Sequence, residues 1–327
     1  MKIFLISTVC ALILTIVLGK ICIPILSRVK AGQTILHYVK EHKEKNGTPT
    51  MGGLFFITAS ILIFLLFGGY VGRMAILSMS ITLAFMLVGF LDDFIKIKYR
   101  KNEGLKPYQK IIFQTAISIV AGVFCYQNNI TLFYLPFSKS VVELGWITIP
   151  IVAVFFIAIT NSVNLIDGLD GLASNVSLIY FIGLFALIST QMLNFEHLYT
   201  NSAEYNSLLI LIACFIGGIL GFLVFNTNKA KVFMGDTGSL GIGGVIGAVS
   251  IFSLNTFYIP ILGIMFVITS ISVIIQVAYF KKTKKRVFIM SPLHHHFQAL
   301  GYSEAKISYC YALITLIVGI MSVVSIL

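Results

Sequence analysis

Charge is what this sequence has least of. Asp, Glu, Lys and Arg make up only 11% of its 327 residues, against 58% hydrophobic residues and a mean hydropathy of +0.97, a balance that excludes a soluble globular domain. Cysteine is sparse too: Cys10, Cys22, Cys125, Cys214 and Cys310 lie in or beside apolar segments and form no CxxC pair. Neither a thiolate metal site nor a disulfide framework is indicated. Strand-type alternation is missing from the apolar runs, so a membrane barrel is excluded and a helical bundle remains, because backbone polar groups in lipid must be paired internally. The basic residues belong to no recognisable nucleic-acid-binding module, and no nucleic-acid partner is expected. The opening stretch "MKIFLISTVCALILTIVLGK" has an apolar run too long for a secretory leader and no small-residue cleavage site, so it reads as a retained first helix.

What is present is a series of apolar segments. Spanning a bilayer takes roughly 20 mostly apolar residues, and ten segments qualify, at about 3–25, 51–69, 72–91, 109–126, 147–165, 171–191, 207–225, 239–254, 257–280 and 306–326. The fold class is therefore all-α: one integral membrane domain, a polytopic bundle of ten transmembrane helices. The span at 239–254 is short and glycine-rich, as expected of a helix whose neighbours approach closely. Of 23 Lys and Arg, 19 fall in the loops at 28–50, 92–110, 226–238 and 281–306. Basic residues collect in cytoplasmic loops, so these loops and the short one at 166–171 face the cytoplasm and both termini face outward. The net charge of +11 is thus concentrated where it can meet lipid headgroups or an anionic substrate.

The few acids are sorted in the same way. All five Asp lie on the basic face near the ends of apolar segments, while the opposite loops carry only Glu143, Glu196 and Glu204. In "NSVNLIDGLDG", 161–171, a helical backbone would put Asp167 and Asp170 on one face. In "GFLDDFIKIK", Asp92 and Asp93 are adjacent and do not share a face. One suffices as a metal ligand and the other serves as base or supporting partner. The plain alternative is a helix-end ion pair with Lys96 or Lys98. "NKAKVFMGDTGSLG" surrounds Asp236 with glycines and hydroxyls; this suits close backbone approach to an anion, and equally an ordinary turn before a helix. "SPLHHHFQ" sets His294, His295 and His296 in the most basic loop, where phosphate or sugar contacts and helix-end hydrogen bonds are expected rather than a transition metal. "KEKNGTPTMGG" offers Lys45, Thr48 and Thr50 as donors at the entry to a helix. Carboxylates drawn from three loops to one membrane face are what a hard divalent cation requires, and Mg2+ binds through one or two carboxylates plus substrate phosphates. With lysines alongside, the cluster points to a phosphate-handling site.

In this order along the chain, "TPTMGG", "GFLDDFIK", "NLIDGLDGLA", "FMGDTGSLG" and "SPLHHHF" closely resemble the phospho-N-acetylmuramoyl-pentapeptide transferases, a branch of the polyprenyl-phosphate sugar-1-phosphate transferases. The superfamily shares the DD, DGLDG-like and GDxG-like elements, and "TPTMGG" with "PLHHHF" narrows the likeness to the muramoyl-pentapeptide branch. The likeness runs from about residue 43 to 310 and departs at Gln298, where that branch usually carries Glu.

The resemblance implies transfer of phospho-N-acetylmuramoyl-pentapeptide from its UDP carrier to undecaprenyl phosphate, with release of UMP, at the cytoplasmic face of the bacterial inner membrane. It also implies Mg2+ as cofactor and a homodimer. Asp236 is the implied principal Mg2+ ligand, Asp92 a base or lipid-phosphate partner, Asp93 its support, and Asp167 a ligand of metal or nucleotide. Gly168, Leu169, Asp170 and Phe233 are implied to shape the nucleoside pocket, with Lys45 and Asn226 nearby. Thr50, Lys96, Asn161 and the three histidines complete the expected substrate-binding set. Two other readings compete: a sister enzyme moving an N-acetylhexosamine-1-phosphate, and an ion-coupled transporter, whose carboxylates would be expected near the midplane of two related halves.

Overall fold

The computed structural model describes residues 2–28, 47–67, 72–99 and 104–327. Lys45 and most of the loop expected at 28–50 lie outside the described residues. Among the described residues twelve α-helices follow in chain order: α1 (Lys2–Arg28), α2 (Gly53–Phe67), α3 (Arg73–Tyr99), α4 (Pro107–Gln127), α5 (Thr148–Ile166), α6 (Leu172–Asn194), α7 (Ser202–Asn226), α8 (Gly235–Phe252), α9 (Ile259–Leu262), α10 (Ile264–Thr283), α11 (Leu293–Ala299) and α12 (Glu304–Val324). Among the described residues, nine helices are long and apolar enough to cross a membrane, and α2 is equally apolar but only 15 residues long. The chain is a polytopic, helical membrane protein.

The short glycine-rich span is the centre of the bundle. Every residue of α8 except Asp236 is buried, with α3, α5 and α2 packed around it. Its small residues make that possible: a Cβ on Gly243 would lie 2.5 Å from Thr160 Cα on α5, and one on Gly241 2.5 Å from Ile57 Cδ1 on α2. Outside this centre, α1 lies on α7 and α12 on α6. Phe4 meets Phe185 late in α6, and Asn194 at the end of α6 donates to Ile326 O. Both chain ends therefore lie at the end of the bundle opposite the aspartates.

Two local features depart from the reading of apolar runs. The loop between α4 and α5 forms a small antiparallel hairpin, β1 (Leu132–Leu135) with β2 (Ser140–Glu143), in which Leu132 faces Glu143 and Leu135 faces Ser140. Four-residue strands are too short to register as alternation. The segment expected as one span at 257–280 is broken at Gly263 into α9 and α10, after a 3-10 turn at Thr256–Tyr258. At the start of α3, the unpaired N–H groups of Arg73 and Met74 donate to the buried Glu204 carboxylate at 3.1 Å each, as an exposed helix N-terminus favours.

Candidate active site

The adjacent aspartates divide their work by helical geometry. Asp93 points from α3 at the first turn of α8, where backbone N–H groups lack intrahelical partners. Its Oδ2 accepts from Thr237 N at 2.9 Å and Thr237 Oγ1 at 2.7 Å, and its Oδ1 from Asp236 N at 3.3 Å. The carboxylate is fully buried and stabilises the positive end of α8. Gly235, at φ +73°, turns the chain into α8 so tightly that a Cβ there would lie 2.6 Å from Asp93 Oδ2 and from Thr50 Oγ1.

One residue along, Asp92 faces the cluster. Its Oδ1 accepts from Leu105 N at 2.8 Å, and Lys96 Nζ lies 2.5 Å from its Oδ2. Asp236 Oδ2 is 3.0 Å from Lys96 Nζ and 2.7 Å from Lys110 Nζ on α4, while its Oδ1 accepts from Asn164 Nδ2 at 2.6 Å. Asn164 also donates to Ser239 Oγ at 2.9 Å, so the last turn of α5 is fastened to α8. Oxygens of Asp92, Asp93 and Asp236 all lie within 4.8 Å of one another. Carboxylates this close need positive charge between them, and hard oxygen donors of this kind fit a divalent cation such as Mg2+. Among the described residues Asp167 is not part of this tight group. It caps α5, and burial, reinforced by the negative charges of Asp236, Asp93 and Asp170, pushes its carboxyl up to about 8.

Three further segments pack against the elements that carry the cluster. The "TPTMGG" segment lies against "VFMG": Phe233 N donates to Pro49 O at 2.8 Å, and Gly52 N to Phe233 O at 2.9 Å. This places Thr50 beside Gly235, its buried hydroxyl without a hydrogen-bond partner among the described residues. The 167–170 turn packs under α11, where a Cβ on Gly168 would lie 2.5 Å from His294 Nε2 and 3.0 Å from His295 Nε2. Asp170 Oδ2 accepts from Ala230 N at 3.0 Å, and Leu169 is buried. From α10, Ser272 Oγ accepts from Leu293 N at 3.0 Å and Gln276 Oε1 from Phe288 N at 2.9 Å, which holds α11 in place. His294 is fully buried with neither ring nitrogen partnered among the described residues. Burial, and secondarily His295, takes its pKa down to about 3, so the ring is neutral.

The family model for glycosyl transferase family 4 matches residues 73–254, and a phospho-N-acetylmuramoyl-pentapeptide-transferase signature matches residues 45–57. The chain is 40% identical over 320 residues to the phospho-N-acetylmuramoyl-pentapeptide-transferase of Clostridioides difficile, covering 97% of this chain and 95% of the relative. It is 39% identical over 319 residues to that of a Thermoanaerobacter species, with 97% of each covered, and 38% identical over 330 residues to that of Halalkalibacterium halodurans, with 98% and 97% covered. The chain belongs to the phospho-N-acetylmuramoyl-pentapeptide transferase family. For this family member, the matched stretch from α3 to α8 contains Asp92, Asp93, Asp167, Asp170 and Asp236, and the signature contains Lys45 and Thr50.

Other residues singled out in the sequence fasten neighbouring segments to one another. Asn161 pairs with Gln114 of α4, donating at 2.7 Å, one turn deeper than Asn164. The buried Asn226 accepts from Ser174 Oγ at 2.9 Å and donates to Val232 O at 2.9 Å, bracing the loop that carries Phe233. His296 Nδ1 accepts from Ile289 N at 3.2 Å and its ring meets Phe288. Lys110 and Asn164, both on Asp236, were not singled out. The signal was an amide three residues before Asp167, and a lysine one turn into the helix that opens at Pro107.

Proposed function

We propose that this chain transfers phospho-N-acetylmuramoyl-pentapeptide from its UDP-linked form to undecaprenyl phosphate, giving lipid I and UMP for peptidoglycan synthesis. The observation that carries the reading is the meeting of Asp92, Asp93 and Asp236 with Lys96 and Lys110 at one end of the bundle, in a chain related over nearly its whole length to curated transferases of this kind. In the proposed topology α2 is the tenth span, both termini are periplasmic, and the site opens at the cytoplasmic face of the inner membrane, where 19 of 23 basic residues are expected. A homodimer is the proposed assembly.

In the proposed reaction, an oxygen of undecaprenyl phosphate attacks the phosphorus bonded to the sugar, and the bond from that phosphorus to the bridging oxygen of UMP breaks. Lys96 and Lys110 offset charge on the diphosphate. Asp236, Asp92 and Asp93 would hold Mg2+, with Asp167 a further candidate ligand from outside the tight group, and the ion would neutralise the diphosphate and the leaving UMP. A phosphate monoester with a second pKa of about 6 is largely dianionic at neutral pH, so the acceptor needs little deprotonation and Asp92 serves to hold Lys96 and the approach to α4. Gly168, Leu169, Asp170 and Phe233, with Lys45 and Asn226, form the nucleoside pocket. Thr50, Asn161 and the histidines bind or frame the sugar and peptide.

The test is a panel of labelled nucleotide sugars with undecaprenyl phosphate and Mg2+ in detergent. Release of UMP from UDP-MurNAc-pentapeptide, lost on chelation, is expected. Turnover of UDP-GlcNAc without turnover of the muramoyl peptide would overturn the assignment in favour of a hexosamine-1-phosphate transferase.

A further inference from the structure

Two polar rungs join α4 to α5. The first is at the reaction site, where Lys110 of α4 and Asn164 of α5 take opposite oxygens of Asp236, at 2.7 and 2.6 Å. The second lies one turn further into the bundle. There Asn161 Nδ2 donates to Gln114 Oε1 at 2.7 Å, and Gln114 Nε2 reaches back to Asn161 Oδ1 at 3.5 Å. Residues three or four apart share a helix face, so Gln114 stands behind Lys110 and Asn161 behind Asn164. Asn161 Nδ2 also donates to Ile157 O of its own helix at 2.8 Å. A carbonyl only accepts, so the backbone fixes which end of that amide is the donor.

Lys110 depends on the second rung because of where α4 is attached. Asp236 belongs to α8, yet α4 packs mainly on α5 and only lightly on α3. The reach of Lys110 to Asp236 is therefore inherited from how α4 sits on α5. The buried face of α4 consists of Gln114, Ser118, Ala121, Gly122 and Cys125. Four of these are small, which lets helices approach closely but specifies neither depth nor rotation. The Ser118 hydroxyl is spent on its own helix, donating to Gln114 O at 2.6 Å. Of the five, only Gln114 has both the length and the polar group to pin α4 to α5. A slip of one residue along a helix amounts to roughly 1.5 Å of rise and 100° of rotation, and either takes Lys110 off Asp236. Any other register would also leave the two carboxamides with unpaired donors and acceptors, a cost that an apolar pair would not impose. Fixing register is the best-attested use of a polar group between apolar helices.

We propose that Gln114 is a positioning residue for the transfer: paired with Asn161, it sets the register of α4 on α5 and so places the Lys110 ammonium on Asp236. This rests on the proposed reading that Asp236 and its lysines serve the reaction. Gln114 itself is fully buried and acts through Lys110. Its effect is one of alignment, and a misplacement of about 1 Å can cost about a hundredfold in rate. The loss therefore falls on kcat rather than on KM.

The experiment uses the full chain in detergent and reads Lys110 in two ways. With metal chelated, acetylation of each lysine by an amine-reactive ester is followed by mass spectrometry, the ion pair with Asp236 protecting Lys110. Gln114→Met keeps the length and removes both polar groups. It is expected to raise the Lys110 rate at least about fivefold, as local opening of a protected group does. Lys96, which holds Asp92 and Asp236 from α3, is expected to stay within about twofold, whereas general loosening of the fold would move both lysines. In UMP-release kinetics the same variant is expected to lower kcat about tenfold to a hundredfold, with KM changed less than about threefold. Added to Lys110→Ala it should cost less than about threefold more, because the two substitutions remove one contact. Gln114→Asn, which keeps the amide but shortens its reach, is expected to move both readouts in the same direction and decides the matter if Gln114→Met does not fold. A Lys110 rate that is unchanged, or that rises equally at Lys96, would overturn the proposal. So would a loss of kcat that adds in full to that of Lys110→Ala, or a raised KM with kcat intact, which would mark Asn161 as a substrate contact that Gln114 supports. A Lys110 rate that rises alone with kcat intact would overturn the part of the Lys110–Asp236 pair in the reaction and leave the control of register by Gln114 standing.

Discussion

Asp93 on α3 caps α8 through Thr237, accepting from both its backbone N–H and its hydroxyl at 2.9 and 2.7 Å. The first prediction concerns this pair. A charge-assisted, fully buried cap contributes about 2–3 kcal/mol, and a single hydroxyl bond about 1 kcal/mol. Asp93→Ala is expected to lower the Tm in detergent and remove activity together, because α8 carries Asp236 on the same turn. Thr237→Val should lower the Tm by a smaller amount and leave measurable turnover. Equal effects of the two substitutions on Tm would contradict the capping role.

Asp236 gathers Lys96, Lys110 and Asn164 around one carboxylate. Asp236→Ala is expected to cut Mg2+-dependent UMP release by about 10³-fold, in the range seen when a preorganised electrostatic contact is removed, while the protein still elutes as a folded species in detergent. Asn164→Ala should cost less, about tenfold to a hundredfold, because it orients Asp236 and reaches it from one side only. Near-normal turnover in Asp236→Ala would remove that residue from the reaction centre.

Asp92 is held by Leu105 N and Lys96, an arrangement suited to positioning rather than to proton transfer. If the acceptor phosphate is its own dianion, the rate should fall on acidification with a midpoint of about pH 6, set by the lipid. Asp92→Asn should then lower the rate at every pH and leave that midpoint where it was. Disappearance of the acid limb in Asp92→Asn would instead make Asp92 the base.

The features read directly from the sequence are those whose chemistry is local. The aspartates at 92, 93 and 236 sit at the ends of apolar helices, where only a partner across a helix terminus satisfies them, and they meet in the fold. Hydropathy undervalued 239–254 because it measures affinity for lipid, whereas α8 faces other helices on all sides. The break at Gly263 was hidden for a related reason: the residues either side are equally apolar. Seeing that Asn164, one turn beyond Asn161, is the amide that reaches Asp236 required the rotation of α5, which its packing on α4 and α8 sets rather than its own residues. Gln298 stood out only as a departure from the family pattern, since its partner Glu304 belongs to another helix.

Asp167 provides a pH test with a definite sign. Its carboxyl is pushed up to about 8 by burial and by Asp236, Asp93 and Asp170, from an unfolded value of about 3.9. The folded protein then holds a proton that the unfolded chain has released. Its contribution to stability is fully present below about pH 4 and is lost as pH rises through about 8. His294 works in the opposite sense: its pKa, lowered to about 3, penalises the folded state on acidification below its ordinary value of about 6.5. The two are separated by comparing variants rather than by a single melting curve. With metal chelated, Asp167→Asn should melt a few degrees above the unaltered protein at about pH 8, and the difference should vanish towards about pH 4, whatever His294 contributes to both. A gap between the two melting temperatures that stays constant across that range would show that Asp167 does not titrate there.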